Sequence, residues 1–218
     1  MEGWVSGLNQ HTANVPTHRV RGFESLSLRI YHFLCMKKIA IDAYYIGDIC
    51  HVVGGIFNKW NDEHVSKFIY ADVKVDSEYI PGEFYKRELP GILKLLEQVN
   101  LDEFDTIIVD GYVYLQERIS KFEHKLRPGL GRHLYALIKE KYPKIEIVGV
   151  AKTLYGEVSD DGLEYGLCYR GNSKKPLYIT STKRHGKNPN YLIERMAGNY
   201  RIPTIIKEVD TETKKIAK

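Results

Sequence analysis

The chain has 218 residues, 43% hydrophobic and 28% charged, which excludes a wholly disordered or collagen-like protein. It holds no apolar run of about 18 residues, so no segment reads as a membrane-spanning helix. With 32 basic and 28 acidic residues the net charge is +4, a value that permits a nucleic-acid partner without arguing for one.

That length suits one domain with some extra chain. The three cysteines, Cys35, Cys50 and Cys168, are too widely spaced for a disulfide framework or a zinc cluster, and read as reduced thiols of a cytoplasmic protein.

Residues 1–35 differ from the rest. Gly3, Ser6, Gly7, Asn9, Gln10, Thr12, Asn14 and Pro16 are scattered without an apolar period. The stretch from Phe23 to Cys35 carries Arg29 and His32 and lacks the ordered parts of a secretory signal. Arg21-Gly22-Phe23-Glu24-Ser25 resembles the translation of a transfer-RNA T-arm. We therefore read 1–35 as an extension arising from an upstream start codon, or as a disordered tail, and 36–218 as the domain proper.

In chain order, Lys38–Tyr45, Asp48–Phe57 and Val65–Val75 read as three strands with short connections, an antiparallel meander. Pro81-Gly82 marks a turn. Pro90–Val99 has helical apolar spacing, with Pro90 at its first position. Phe104–Val109 is a strand buried on both faces, Leu130–Lys141 a second helix, and Ile145–Val150 another buried strand. Two short strands, Leu163–Tyr169 and Leu177–Thr180, and a helix, Asn188–Gly198, follow. The Lys- and Thr-rich segment after Pro203 reads as weakly ordered. A meander passing into parallel β-α-β units makes an α/β fold, a mixed sheet with helices on its faces.

Three apolar runs end in charge: Ile39-Ala40-Ile41 in Asp42, Thr106–Val109 in Asp110, and Ile147–Ala151 in Lys152. In open α/β sheets ligands gather outside the carboxyl ends of the strands. Were these strands neighbours, two carboxylates and an ammonium would converge. Alone, each such charge simply meets water. Asp42 departs from that reading because Ala43-Tyr44-Tyr45 continue the strand, and a carboxylate inside a central strand costs several kcal/mol unless paired or metal-bound. Two close carboxylates repel, and a hard cation such as Mg²⁺ or Mn²⁺ removes the conflict. Glu88 stands just before Pro90, where a helix start favours a carboxylate. Upstream, Tyr79-Ile80-Pro81-Gly82 reads on spacing alone as a plain turn with a buried tyrosine, the alternative being a stiff apolar projection of the kind that unstacks bases.

These residues resemble one family, endonuclease V, a deoxyinosine-specific nuclease with a ribonuclease H-like fold. The segments run in the family's order: Ile41–Tyr45, Tyr79–Gly82 with Arg87-Glu88, Ile108–Gly111, Gly129–His133, Gly149–Lys152 and Tyr200–Pro203. The resemblance implies that Asp42, Glu88 and Asp110 bind Mg²⁺, with Mn²⁺ able to substitute. It implies that Lys152 supports the nucleophile or phosphate. Tyr79, Ile80, Pro81 and Gly82 would wedge the duplex, and Gly111 with Gly129, Leu130 and Gly131 would form a pocket for the flipped base. The family's histidines after the second aspartate are replaced by Tyr112 and Gln116. Its late Gly-His-Arg segment reads Thr182–Lys187, leaving His185 as the candidate catalytic histidine. Lys174-Lys175, Lys183-Arg184, Lys187 and Lys214-Lys215 would track phosphates.

The expected protein is thus a cytoplasmic, monomeric endonuclease acting in DNA repair near deoxyinosine, with DNA as partner and no cofactor beyond the metal. The alternatives are an inosine-specific ribonuclease and a non-catalytic nucleic-acid binder on the same fold; an unrelated oxygen-ligand metalloenzyme is a third. N-terminal sequencing of protein made from the native gene is expected to begin at Met36; a mature terminus upstream of it overturns that start.

Overall fold

The apolar run Ile39-Ala40-Ile41, with Ala43-Tyr44-Tyr45 beyond it, makes Lys37–Ile46 strand β1, and its neighbours decide the topology. The computed structural model describes residues 36–75, 83, 85–118, 124–155, 166–183 and 190–216. β1 pairs antiparallel with β2 (Ile49–Phe57), which pairs antiparallel with β3 (Lys67–Lys74). On its other side β1 runs parallel to β4 (Phe104–Asp110), and β4 runs parallel to β7 (Glu146–Ala151). β9 (Leu177–Ser181) and β8 (Gly166–Cys168) complete a seven-stranded sheet in the order β3-β2-β1-β4-β7-β9-β8. A separate hairpin joins β5 (Tyr114–Arg118) to β6 (His124–Pro128). The sequence reading had no strands there, because these polar segments carry no alternation and cross-strand pairing supplies their order.

The central strands are apolar on both sides because each sheet face carries helices. On one face lie α1 (Tyr85–Leu96) and α2 (Leu130–Ile138), packed over Ile39, Ile41, Ile107, Val109 and Ile147. Tyr85 of α1 stacks on His133 of α2 with ring centroids 3.7 Å apart. The other face buries Ala40, Val53, Ile108, Val148 and Val150 under α3 (Asn190–Glu194) and α4 (Thr204–Ile216). The Arg170 guanidinium donates to the carbonyls of Ile193 (2.8 Å), Met196 (2.7 Å) and Gly198 (2.7 Å), satisfying the end of α3.

Two expectations are corrected. The segment after Pro203 is a 13-residue helix, α4, not a weakly ordered tail. Its Lys and Thr residues hide an apolar stripe at Ile205 and Val209, continued by Thr213, all at most 1% exposed. The stripe has helical spacing, and each buried aliphatic side chain contributes about 1.5–3 kcal/mol. Helix α1 begins at Tyr85 rather than Pro90, so the proline lies inside it. The missing Pro90 N–H leaves the Lys86 carbonyl without its helical donor, a cost outweighed by burying Ile92, Leu95 and Leu96. Glu88 therefore sits in the first turn of a helix, not ahead of one. No helix among the described residues is long and apolar enough to cross a membrane.

Helix α4 can approach the sheet because β2 presents Gly55 beneath it. A Cβ on Gly55 would lie 2.5 Å from Cγ2 of Val209 and 2.9 Å from Cγ2 of Val65. Gly55→Val is accordingly expected to lower stability by about 1–3 kcal/mol, read as a shifted urea-unfolding midpoint; an unchanged midpoint contradicts this packing.

Candidate active site

The parallel strands β1, β4 and β7 lie side by side and bring their carboxyl ends together. Asp42 and Asp110 face a small cleft whose lining also includes Lys152, Val150, Ile206, Val209 and Asp210. The register explains the convergence. Ile41 of β1 pairs with Val109 of β4, and Asp110 pairs with Val150 of β7. Each charged residue thus emerges at the same level of the sheet.

Lys152 stands at the centre of the charges. Its ammonium donates to Oδ2 of Asp110 at 2.7 Å and to Oδ1 of Asp210 at 3.2 Å. Burial alone would lower its pKa, but the charge and hydrogen bond of Asp110 raise it overall, with Asp42 and Asp210 adding to the effect. Lys152 is therefore a firmly charged ammonium at neutral pH.

The carboxylates split into two electrostatic classes. Burial, reinforced by the Asp110 charge, pushes Asp42 up to about 6 although Lys152 opposes the shift. Glu88, 6% exposed on α1, is raised well above the usual carboxylate range by burial and by the charges of Asp110 and Asp42. Asp210 goes the other way. Burial works against its ionisation, but hydrogen bonds from Lys214 and Lys207, together with Lys152, hold it well below the usual range. Lys214 donates to both its oxygens at 2.9 Å, and Lys207 donates to Oδ2 at 3.1 Å.

Asp210 is the member of this charged cluster that the sequence reading missed. Its signal was present: Lys207-x-x-Asp210-x-x-x-Lys214 puts two cations one turn either side of a carboxylate on a single helix. Reading the segment as a tail hid that spacing.

The other expected residues are distributed as follows. Gly111 leaves β4 with φ +136°, and a Cβ there would meet nothing within 4 Å. Gly129 precedes α2, where a Cβ would lie 2.4 Å from the Tyr112 carbonyl oxygen. Leu130 is buried in the first turn of α2, and Gly131 packs against Val113, whose Cγ2 a Cβ would meet at 2.8 Å. Tyr112, in the place of the family histidine, is 8% exposed and packs beside Ala151. Tyr79, Ile80, Pro81, Gly82 and His185 lie outside the described residues.

The donor set suits a hard cation: four carboxylates at one end of the sheet, two of them held in part against ionisation by their neighbours' charge. As the side chains lie, no three acidic, histidine or cysteine groups among the described residues are gathered tightly enough to cage one. The Lys152 ammonium bridges Asp110 and Asp210 within the cluster. Cys50 and Cys168 take no part; both are buried free thiols, and burial pushes Cys168 up to about 11.

A mixed sheet with parallel central strands and an antiparallel meander on one side defines the ribonuclease H-like class of folds. Solved structures of that class superpose on this chain. Endonuclease V from Streptomyces avermitilis is 17% identical and matches 90% of this chain and 92% of its own, with TM-score 0.58. The Ciona intestinalis enzyme, solved with a 23mer DNA containing an inosine followed by a ribo-adenosine, is 15% identical, with coverages of 90% and 97% and TM-score 0.60. The Bacillus subtilis protein is 12% identical, covers 93% of each chain and has TM-score 0.56. In sequence, endonuclease V from Sulfolobus acidocaldarius is 28% identical over 123 residues. That match spans 56% of this chain and about half, 53%, of the relative. No family model matches the chain. The resemblance to endonuclease V is borne out by the sequence match, and the solved structures share the fold.

Electrostatics within the cluster has a direct consequence for stability. Asp42 ionises in the unfolded chain near 3.8 but in the fold only near 6. Between those values the native state holds more protons, so stability falls as pH rises through this window, and the full cost is present above it. In metal-free buffer, Asp42→Asn is expected to stabilise the protein by about 1–2 kcal/mol above pH 7. The gain should vanish by about pH 4. Thermal unfolding across that range checks this, and a gain independent of pH contradicts it.

Proposed function

We propose that the chain is a metal-dependent endonuclease of the endonuclease V type. It would hydrolyse a phosphodiester near a deaminated purine, deoxyinosine, in DNA, leaving a 3′-hydroxyl and a 5′-phosphate in the service of DNA repair. The observation that supports this reading is the gathering of Asp42, Asp110 and the charged Lys152 on three adjacent parallel strands, with Glu88 of α1 close enough to feel the charges of both aspartates.

A Mg²⁺ or Mn²⁺ ion held by Asp42, Glu88 and Asp110, with Asp210 beside them, would supply charge neutralisation at the phosphodiester and a more acidic nucleophilic water. The residues do the rest. Lys152 carries its charge to the cleft and supports the phosphate oxygens as negative charge accumulates there. Asp210 keeps Lys152, Lys207 and Lys214 gathered beside the cleft, so a nucleic-acid backbone would meet fixed cations there. Tyr79, Ile80, Pro81 and Gly82 would enter the base stack, and Gly111, Gly129, Leu130 and Gly131 would border the flipped base. His185 would stand near the reacting strand.

A ribonucleotide-containing substrate is the second reading. Its support is that the Ciona intestinalis relative was solved on an inosine followed by a ribo-adenosine. The assay therefore includes inosine-containing single-stranded DNA, duplex DNA and RNA, each with Mg²⁺, Mn²⁺ or EDTA. Metal-dependent nicking is expected, and tight binding without nicking would leave a binder instead. Asp42→Ala and Asp110→Ala are each expected to abolish cleavage with an unchanged circular-dichroism spectrum; cleavage at the wild-type rate by either refutes the site.

A further inference from the structure

Lys152 lies at the first residue past β7, in a turn that runs on to Tyr155, and that turn is clipped from two sides. The phenol of Tyr112 donates to the Thr153 carbonyl at 2.6 Å and accepts from the Tyr155 N–H at 3.1 Å. One hydroxyl thus bridges two residues of the turn with both its donor and its acceptor used. From the other side the Arg201 guanidinium donates to the Lys152 carbonyl itself, and also to that of Pro176 at 2.8 Å.

Tyr112 is in turn held rigidly. Its carbonyl accepts from the Gly131 N–H at 3.0 Å, at the start of α2, and the Gly111 N–H before it donates to Val150 of β7 at 3.2 Å. The ring is 8% exposed and packs beside Ala151. A continuous path runs from α2 through Tyr112 to the backbone of the turn, and from there along the Lys152 side chain to Asp110 and Asp210. An ammonium on a four-carbon stem has many rotamers, and its place is only as well defined as the backbone that bears it. A displacement of about 1 Å at a reacting centre can cost a hundredfold in rate.

We propose that Tyr112 is a positioning residue of the nuclease reaction: with Arg201 opposite, its hydroxyl fixes the turn Lys152–Tyr155 and so holds the Lys152 ammonium at the carboxylates. In this chain the residue in the histidine's place acts through Lys152, without touching substrate. This rests on the nuclease reading, but part of its test does not.

Tyr112→Phe keeps the ring and its packing and removes only the clip. Amide hydrogen exchange in the full-length protein, without substrate, should become about tenfold faster at residues 152–155. Exchange in the β1 and β4 core should stay unchanged. Under single-turnover conditions on inosine-containing DNA with Mg²⁺, the cleavage rate should fall tenfold to a hundredfold while the half-saturating protein concentration stays constant. The same substitution in a Lys152→Ala background should change the residual rate less than about twofold, because two residues acting through one group are not additive. Unchanged exchange at 152–155 overturns the proposal, as does a full additional loss in the Lys152→Ala background or an effect confined to substrate affinity. If the double variant cleaves too slowly to follow, the exchange result and the rate–affinity split decide. Absence of cleavage by the wild type would count against the nuclease reading alone, since exchange still reports whether Tyr112 holds the turn.

Discussion

Like charges forced together beside the parallel strands β1 and β4 are the constraint around which this molecule is organised. Burial disfavours the ionised forms of Asp42 and Glu88, and the charge of Asp110 adds to the cost for both. A fold optimised only for stability would place amides or apolar groups there. The remaining structure offsets the strain with cations: Lys152 between Asp110 and Asp210, and Lys207 and Lys214 on Asp210. Such pairing makes the cluster tolerable.

Helix α4 connects that electrostatic problem to the core. Its apolar stripe packs onto β1 and β2, with Gly55 letting it sit close. The same seating carries Asp210 to the cleft. Stability and site geometry are therefore not separable here, because the side chains that bury α4 also aim its carboxylate. On the opposite face α1 does the equivalent for Glu88, and the Arg87 guanidinium over the Tyr45 ring at 4.3 Å ties its first turn to β1.

Much of the architecture was legible before any coordinates. The strands β1, β2, β3, β4 and β7 have strong local patterns, alternating or wholly apolar, and their expected bounds match the structure within two residues. The β5–β6 hairpin was not legible, since its polar residues have no period and its order comes from pairing. Helix α4 was misread because composition, rich in Lys and Thr, was weighed above the spacing of Ile205 and Val209. Proline favours a first helical position, which puts the start of α1 at Pro90, whereas tertiary contacts of Tyr85 with His133 and of Arg87 with Tyr45 hold the helix back to Tyr85.

By itself the sequence marked Asp42, Asp110 and Lys152: each closes an apolar run, a local property that needs no neighbour to read. Only the tertiary structure decided that these ends are adjacent, and that a fourth carboxylate joins them. Lys152 and Asp210 are 58 residues apart and meet through a hydrogen bond of 3.2 Å. Their meeting depends on sheet order, on the register of β7 against β4 and on the depth of α4. It also fixed the ionisation of the cluster, because burial and the distances between charges, which set those energies, do not exist in a linear chain.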